Sequence, residues 1–478
     1  MYFSRGYWNP SQAGCRFDPK RSPPRPDLLW LKPADIASLK AAHSKFLQDV
    51  KEDGLSMSYV ADTTGIVMTV AGNRFPVLLT SLLMLRKTGT TLPVEVFLDS
   101  HKDYNAKLCD SILPSMNAKC IVFGDIVRAS DSGVELQGYQ FKMIALLFSS
   151  FESVLLLDAD AFPTTDPSYV FTSEVFERHG MILYPDFWYP SESPYYFEIA
   201  SIRKMPNLSA RPSIESGEIF LNKRKHNFTL LLAAYYNYFG PDYYYVLHSQ
   251  GAPGQGDKET FGWAAIATNN SFYLVHKGVE PMGHFDSNGD FVGSAMAQFD
   301  PVADYAYYQA PSGDSPGDSP KDTEKTDSDF PAADPRPDRN ISQSPSTPNI
   351  QALFLHANFP KFDPSTFFLS TTQPPDRANP SFDSNGTALK PWGASLPVPN
   401  ALVADYDIEA AFWEEIETVS CKYGREDGVF GDWSLRAIVG KGGNVVGKGG
   451  REKAEAEARM DVCDVVGAWK GKAFGGGE

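Results

Sequence analysis

Residues 154–166, VLLLDADAFPTTD, constrain the fold more than any other stretch of the chain. An apolar run breaks off into Asp158 and Asp160, one residue apart, and a Phe-Pro turn follows directly. In an extended segment residues i and i+2 point to the same side, so both carboxylates aim at one spot. Two neighbouring anions repel unless a cation lies between them, and hard divalent ions such as Mg2+ or Mn2+ prefer oxygen ligands. The stretch reads as a strand that delivers a metal site. An Asp-x-Asp triplet alone is weak, and a strand-end turn is the plain alternative. The chain holds two further copies, at 327–329 and 405–407, and neither follows a hydrophobic strand.

The residues before this stretch alternate strand-like and helix-like patterns. A helix is expected over 33–52, then a β-branched strand from Gly65, a turn, and a helix over 76–89 with Pro near its start. Strands are expected at 94–98 and 120–123, with helices over 106–113 and 139–150, the last feeding the run that ends at Asp158. Such alternation implies a mostly parallel sheet with right-handed crossovers and helices flanking it. Ligands of these sheets bind beyond the carboxyl ends of the strands, which is where the aspartates fall. Neither G-x-x-x-x-G-K-[ST] nor G-x-G-x-x-G occurs, which argues against a P-loop NTPase or a dehydrogenase.

With 478 residues, 42% of them hydrophobic, the chain can bury a sizeable core. A formal charge of -16 argues against a nucleic-acid partner, whose footprint would be basic. Its aromatic content of 13% suits stacking on sugars or bases as well as a Tyr-rich core. Five cysteines show no C-x-x-C spacing, so a zinc knuckle or a thioredoxin-like motif has no support, and the odd count leaves one unpaired. N-x-[ST] sequons stand at Asn207, Asn227, Asn269, Asn340 and Asn385. No apolar run of about 18 residues and no basic-then-apolar leader is present, so these residues carry no expected membrane anchor or signal.

In the second half, 214–222 reads as a turn entering a strand, and 223–239 as a helix whose apolar face is Leu230, Leu231, Ala234, Tyr235 and Tyr238. A Gly-rich loop then leads into a helix with Asp257, Lys258 and Glu259 at its mouth, where ordinary capping is the competing reading. Residues 310–349 are dominated by Pro, Ser and Asp and are expected to be a disordered insertion. After it, a strand places His356 at its end, five residues before Lys361; imidazole often joins a carboxylate-rich metal site. The expected organisation is a lead-in over 1–60 with its first 27 residues poorly ordered, and a catalytic domain over 61–309 and 350–435. A weakly structured Gly/Lys-rich tail is expected over 436–478.

Four blocks together, YQFKMIALLFSSFESVLLLDADAFPTTDP, ESGEIFLNKRKHNFTLLLAAYYNYFG, GAPGQGDKETF and FLHANFPKFDP, resemble the fungal α-mannosyltransferases of glycosyltransferase family 71, the yeast mannan-branching enzymes. The resemblance covers roughly 64–300 and 351–433. It implies an α/β, GT-A-like nucleotide-sugar transferase fold, GDP-mannose as donor, Mn2+ (or Mg2+), a mannose-containing glycan acceptor, retention of configuration, and a membrane-associated setting in the Golgi lumen. More distantly, the aspartate pair with a late His-x-x-x-x-Lys resembles glycogenin-like transferases. On that likeness Asp158, Asp160 and His356 hold the metal, and Lys361 joins Asp158 at the donor diphosphate. Lys142, on the helix feeding the strand, is a further donor-phosphate candidate, with a solvated helix lysine as the alternative. Glu215, Glu218, Asp257 and Glu259 are the candidates for the catalytic, acceptor side. A UDP-sugar donor, and a catalytically silent glycan-binding protein of the same fold, remain open as alternatives. A metal-dependent hydrolase is disfavoured by the lack of a His/Asp cluster large enough for two metals.

Overall fold

Apolar strands alternating with helices assemble one large sheet whose carboxyl edge carries the acidic residues. The computed structural model describes residues 2–3, 16–130, 136, 138–252, 256–285, 289–309, 350–367, 388, 390–393, 406–440 and 454–475. The insertion expected over 310–349 lies outside the described residues. Helix α1 (Pro33–Glu52) starts on a proline, whose missing amide donor costs nothing in a first turn. Then come β1 (Val60–Val70), α2 (Phe75–Lys87), β2 (Val94–Leu98), β3 (Ala118–Val122), α3 (Gln140–Phe148) and β4 (Phe151–Leu157). Beyond the aspartates lie β5 (Ala161–Pro163), β6 (Met181–Pro185), β7 (Ile214–Asn222), α4 (Asn227–Tyr238), α5 (Lys258–Ala267) and β8 (Tyr273–Leu274). The chain continues through β9 (Glu280–Phe285), β10 (Phe291–Phe299), β11 (Ala352–His356) and α6 (Ile408–Thr418).

The large sheet has the order β8-β6-β7-β4-β1-β2-β3. All its pairs are parallel except the two that β7 makes, with β4 and with β6. Alternate residues of β4 feed opposite layers: Val154 and Leu156 join one apolar cluster, Leu155 and Leu157 the other. Burial on both faces explains why this strand reads as an unbroken apolar run, each large side chain contributing about 2 kcal/mol. The expected α/β architecture, a mostly parallel sheet flanked by helices, is the one observed.

A second sheet, β9-β10-β11-β5, brings the distant strand to the site. In it β11 runs antiparallel to β5, with His356 opposite Ala161. The residue after Asp160 is thereby locked beside a strand from beyond the insertion. Among the described residues no helix is long and apolar enough to cross a membrane.

Three expectations need correction. The tail is not weakly structured where it is described: β12 (Ser434–Gly440) pairs antiparallel with β13 (Ala454–Asp461), and α7 (Val462–Phe474) buries Trp469 completely. Trp469 packs on Trp413 of α6 with ring centroids 3.9 Å apart, and a Cys421–Cys463 disulfide ties the helix down. Its apolar residues Val462, Val465, Val466 and Trp469 share one face, a pattern masked by the surrounding glycines and lysines.

Residues 16–27 are likewise held in place. Arg25 reaches buried Glu192 at 2.7 Å, and the Phe17 amide donates to the Phe187 carbonyl. A polar composition hid this because the anchoring contacts are ion pairs and backbone bonds. Finally, α4 buries Thr229, Leu230, Leu232, Ala233, Tyr236 and Asn237, whereas Tyr238 of the expected face is exposed. This helix is apolar nearly all round, so periodicity could not choose. The bonds Asn237 to Thr260 and Thr229 to Thr268, at 2.8 and 3.0 Å, choose instead.

Candidate active site

Strand β4 ends on Asp158, whose amide donates to the Gly217 carbonyl of β7 at 2.8 Å. That bond and the β5–β11 pairing bring four segments together: 158–160, 215–218, His356 with Lys361, and Asp257. His356 Nε2 lies 3.3 Å from Asp160 and 3.9 Å from Asp158, and its Nδ1 lies 3.6 Å from Glu215. The imidazole rests directly on Gly217, where a Cβ would come within 2.6 Å of Nδ1. Only glycine leaves that space.

Lys142 projects from α3 into the same cluster. Its ammonium is 2.8 Å from Asp158 and 3.5 Å from Asp257, and it donates to the Ser216 carbonyl at 2.9 Å. Burial would lower its pKa, but the carboxylates of Asp158 and Asp257 outweigh burial and raise it, so the lysine is a fixed cation. Asp257 is the residue before α5, yet its side chain makes no capping bond. The capping explanation for this aspartate is therefore set aside by its geometry. Burial pushes its carboxyl up while Lys142 pulls it down.

The cluster is strongly anionic. Burial alone would lower His356, but Asp160, Glu218 and Glu215 push it up to about 10. Glu218, on β7 opposite Leu157, is fully buried with neither oxygen hydrogen bonded, and burial pushes it up to about 8. A buried, unpaired carboxyl costs on the order of 1–3 kcal/mol, which marks a group kept for a ligand or a reaction.

Asp158, Glu215 and His356 offer ligand atoms all within 4.8 Å of one another. Two carboxylate oxygens and one imidazole nitrogen suit Mn2+ or Mg2+. Neither His356 ring nitrogen makes an aligned hydrogen bond, and a cation in this anionic cluster would displace the proton the carboxylates hold there, which makes the imidazole a ligand. The residues present therefore fit a divalent cation, although the set differs from the expected Asp158, Asp160 and His356. Asp160 spends one oxygen on Lys361, 201 residues downstream, and that pair also occupies the lysine expected at the donor diphosphate. Against burial, His356 and Lys361 hold Asp160 well below the usual carboxylate range.

One expected acceptor-side residue is corrected outright. Glu259 binds Arg211 through both oxygens, at 2.8 and 3.3 Å, and accepts from the Ile214 amide at 2.8 Å. It is a structural anchor between α5 and β7. Sequence reasoning also missed the buried Lys258–Asp186 pair at 2.7 Å. A signal existed, because Asp186 follows the apolar run MILYP just as Asp158 follows VLLL.

Comparison with known proteins supplies the family. The family described as "Mannosyltransferase putative" matches residues 63–211 and 201–300, which include β4, β7 and Asp257. The α-1,2-mannosyltransferase MNN2 of Saccharomyces cerevisiae is 33% identical over 82% of this chain and 70% of its own length. The chain belongs to the fungal mannosyltransferase family. Within that family, the α-1,2-mannosyltransferases MNN21 and MNN24 of Candida albicans are 31% and 34% identical over 83% and 71% of this chain. The chain spans 63% and 53% of the lengths of those two relatives. Among solved structures, mouse xyloside xylosyltransferase 1 overlaps 44% of this chain and 84% of its own at 13% identity, with a TM-score of 0.30. So partial an overlap carries no weight, and the fold rests on the sheet described above.

Proposed function

We propose that this member of the mannosyltransferase family transfers mannose from GDP-mannose to an α-mannoside of a fungal glycan, with retention of configuration and with Mn2+ or Mg2+ as cofactor. The observation that carries the reading is His356, delivered by β11 onto Gly217 between Asp158 and Glu215. An oxygen-rich site with one imidazole, at the carboxyl edge of a parallel sheet, suits a sugar nucleotide whose diphosphate must be neutralised as it leaves.

A divalent cation held by Asp158, Glu215 and His356 would supply Lewis-acid stabilisation of the departing diphosphate. Lys142 holds Asp158 in place through its 2.8 Å contact. Lys361, 43% exposed at its side chain, is the one cation of the cluster with open access to solvent, and exchange of Asp160 for a phosphate oxygen is its part in donor binding. Glu218, whose carboxyl burial pushes up to about 8 and whose oxygens have no protein partner, is the group that meets a sugar hydroxyl or phosphate. Asp257, 3.5 Å from Lys142, is the carboxylate left for the acceptor side.

The mannose specificity follows the family relatives, since the metal cluster reads the diphosphate and not the base or sugar. The two disulfides, Cys109–Cys120 and Cys421–Cys463, suit an oxidising compartment and support a Golgi-lumenal setting. A panel of sugar nucleotides with and without Mn2+, with product linkage read afterwards, tests the reading. Transfer of glucose or galactose from a UDP-sugar, with none from GDP-mannose, would replace the donor. Glycan binding without transfer from any donor would leave a silent glycan-binding protein.

A further inference from the structure

A hollow of about 460 Å3 lies between the start of α1 and the end of α4, walled by Trp30, Tyr235, Phe239, Tyr243 and Tyr244, with Asp35 at its rim. None of the clustered carboxylates, lysines or His356 lines it. Trp30 and Tyr243 expose 49% and 38% of their surface, a large apolar area to leave in water.

Further exposed rings stand on the elements that lead from this hollow towards Asp257. Tyr139, 54% exposed, lies flat enough on Gly256 that a Cβ there would meet the ring at 2.6 Å, and Gly256 immediately precedes Asp257. The residue after Tyr139, buried Gln140, donates to the Tyr238 carbonyl at 2.9 Å and so ties the two tyrosine-bearing segments together. Tyr238 is itself 49% exposed and packs on Phe239, which packs on Tyr235 in the wall of the hollow. The rings are held in place from behind: Tyr245 stands edge-on to Tyr139 and bonds Asn237 at 2.9 Å.

We infer that this aromatic track and its terminal hollow are a second binding site for the polymeric acceptor, an α-mannoside chain extending out of the cleft. The inference rests on the transferase reading and names a separate place where that substrate is held. Pyranose rings present a face of C–H groups that packs on aromatic rings, while their hydroxyls turn outward to groups such as Asp35, Lys32 and Ser38. A cavity of this size takes one or two sugar units. Half-exposed rings spaced along a surface suit a repeating chain better than a single compact ligand. Binding the chain away from the reacting hydroxyl raises its effective concentration at the cleft without new contacts there.

The test is electrophoresis of the full chain in native gels containing α-mannan, with dextran gels as control. The proposal expects mannan to retard the wild-type protein and dextran not to. The Trp30→Ala, Tyr243→Ala double variant should lose retardation by about tenfold in apparent affinity. A Trp30→Phe, Tyr243→Phe variant, which keeps both rings, should retain it, and this control separates loss of the site from loss of the fold. In transfer assays the alanine variant should raise KM for mannan and leave KM for a single methyl α-mannoside unchanged. Equal retardation of the wild-type and alanine proteins, or no retardation of the wild type, overturns the site. Absence of transfer from every donor would instead sink the reaction while leaving the gel result intact, so the two failures are read apart.

Discussion

Two buried ionic clusters sit against the same strand and helix, β7 and α5, and they are built on opposite rules. In the first, Arg211 and Arg25 meet Glu192 and Glu259, and all four carboxylate oxygens are bonded: Glu192 by Arg25, Arg211 and the Trp263 indole, Glu259 by Arg211 and the Ile214 amide. In the second, Asp158, Asp160, Glu215, Glu218 and Asp257 share Lys142, Lys361 and His356. There Glu218, one Asp257 oxygen and both His356 nitrogens lack aligned partners. Buried charge is costly unless paired, so the closed cluster is a piece of scaffold and the open one is held ready for something that is not protein. The contrast turns burial from a stability statement into a functional one.

The largest break in this comparison should come from Asp158→Ala. Transfer should fall about a thousandfold or more, equivalent to roughly 4 kcal/mol of transition-state stabilisation, while the urea unfolding midpoint moves little. A thousandfold loss accompanied by unfolding would mean that the open cluster is scaffold too. Next, Arg211→Ala in the closed cluster should cost about 3–5 kcal/mol in urea unfolding, because it strands Glu192 and Glu259 in a dry interior. Stability unchanged by that substitution would erase the distinction from the other side.

A smaller and sharper effect is expected from Gly217→Ala. The added methyl meets His356 Nδ1 at 2.6 Å and must shift the imidazole, so Mn2+ affinity and turnover should both drop by about tenfold with the fold retained. Unchanged metal affinity would remove His356 from the ligand set. The mildest test uses Glu409, a buried carboxyl on α6 that accepts one bond, from the Trp392 amide. Burial raises it from 4.5 to about 8. The raised value means the folded protein holds the proton more tightly. Its contribution is therefore complete below about pH 4.5 and is lost as pH rises through about 8. Glu409→Gln should remove a slope approaching about 1.4 kcal/mol per pH unit from stability measured across that window. Parallel pH profiles for the two proteins would show that the carboxyl titrates normally.

Much of the scaffold was legible in advance because it is local. Residues 33–52 and 94–98 form the expected helix and strand, and the apolar run before Asp158 is the expected buried strand. The distant glycogenin-like resemblance pointed to His356 and Lys361, and the β5–β11 pairing brings both beside Asp160. What escaped was decided by packing. Glu259 and Asp257 stand two residues apart at the mouth of one helix and looked equivalent, yet one faces Arg211 and the other Lys142. Glu215 had been set on the acceptor side, but the antiparallel β5–β11 pairing brings His356 to within 3.6 Å of it. In α4 and α7 the helix was either apolar all round or disguised by glycine and lysine, so its buried face had to be read from its neighbours.

The amino-acid sequence by itself determined the alternation of strand and helix, the two carboxylates at the end of a buried strand, and membership of the mannosyltransferase family. Those features depend on periodicity and on contiguous blocks of residues, which a chain carries before it folds. Only the tertiary structure decided which charges are paired off, which stay open, and that a glycine on one strand seats an imidazole from the far side of an insertion. Charge pairing falls off over a few ångströms and is set by side chains far apart in the chain, so it does not exist until the strands are in register.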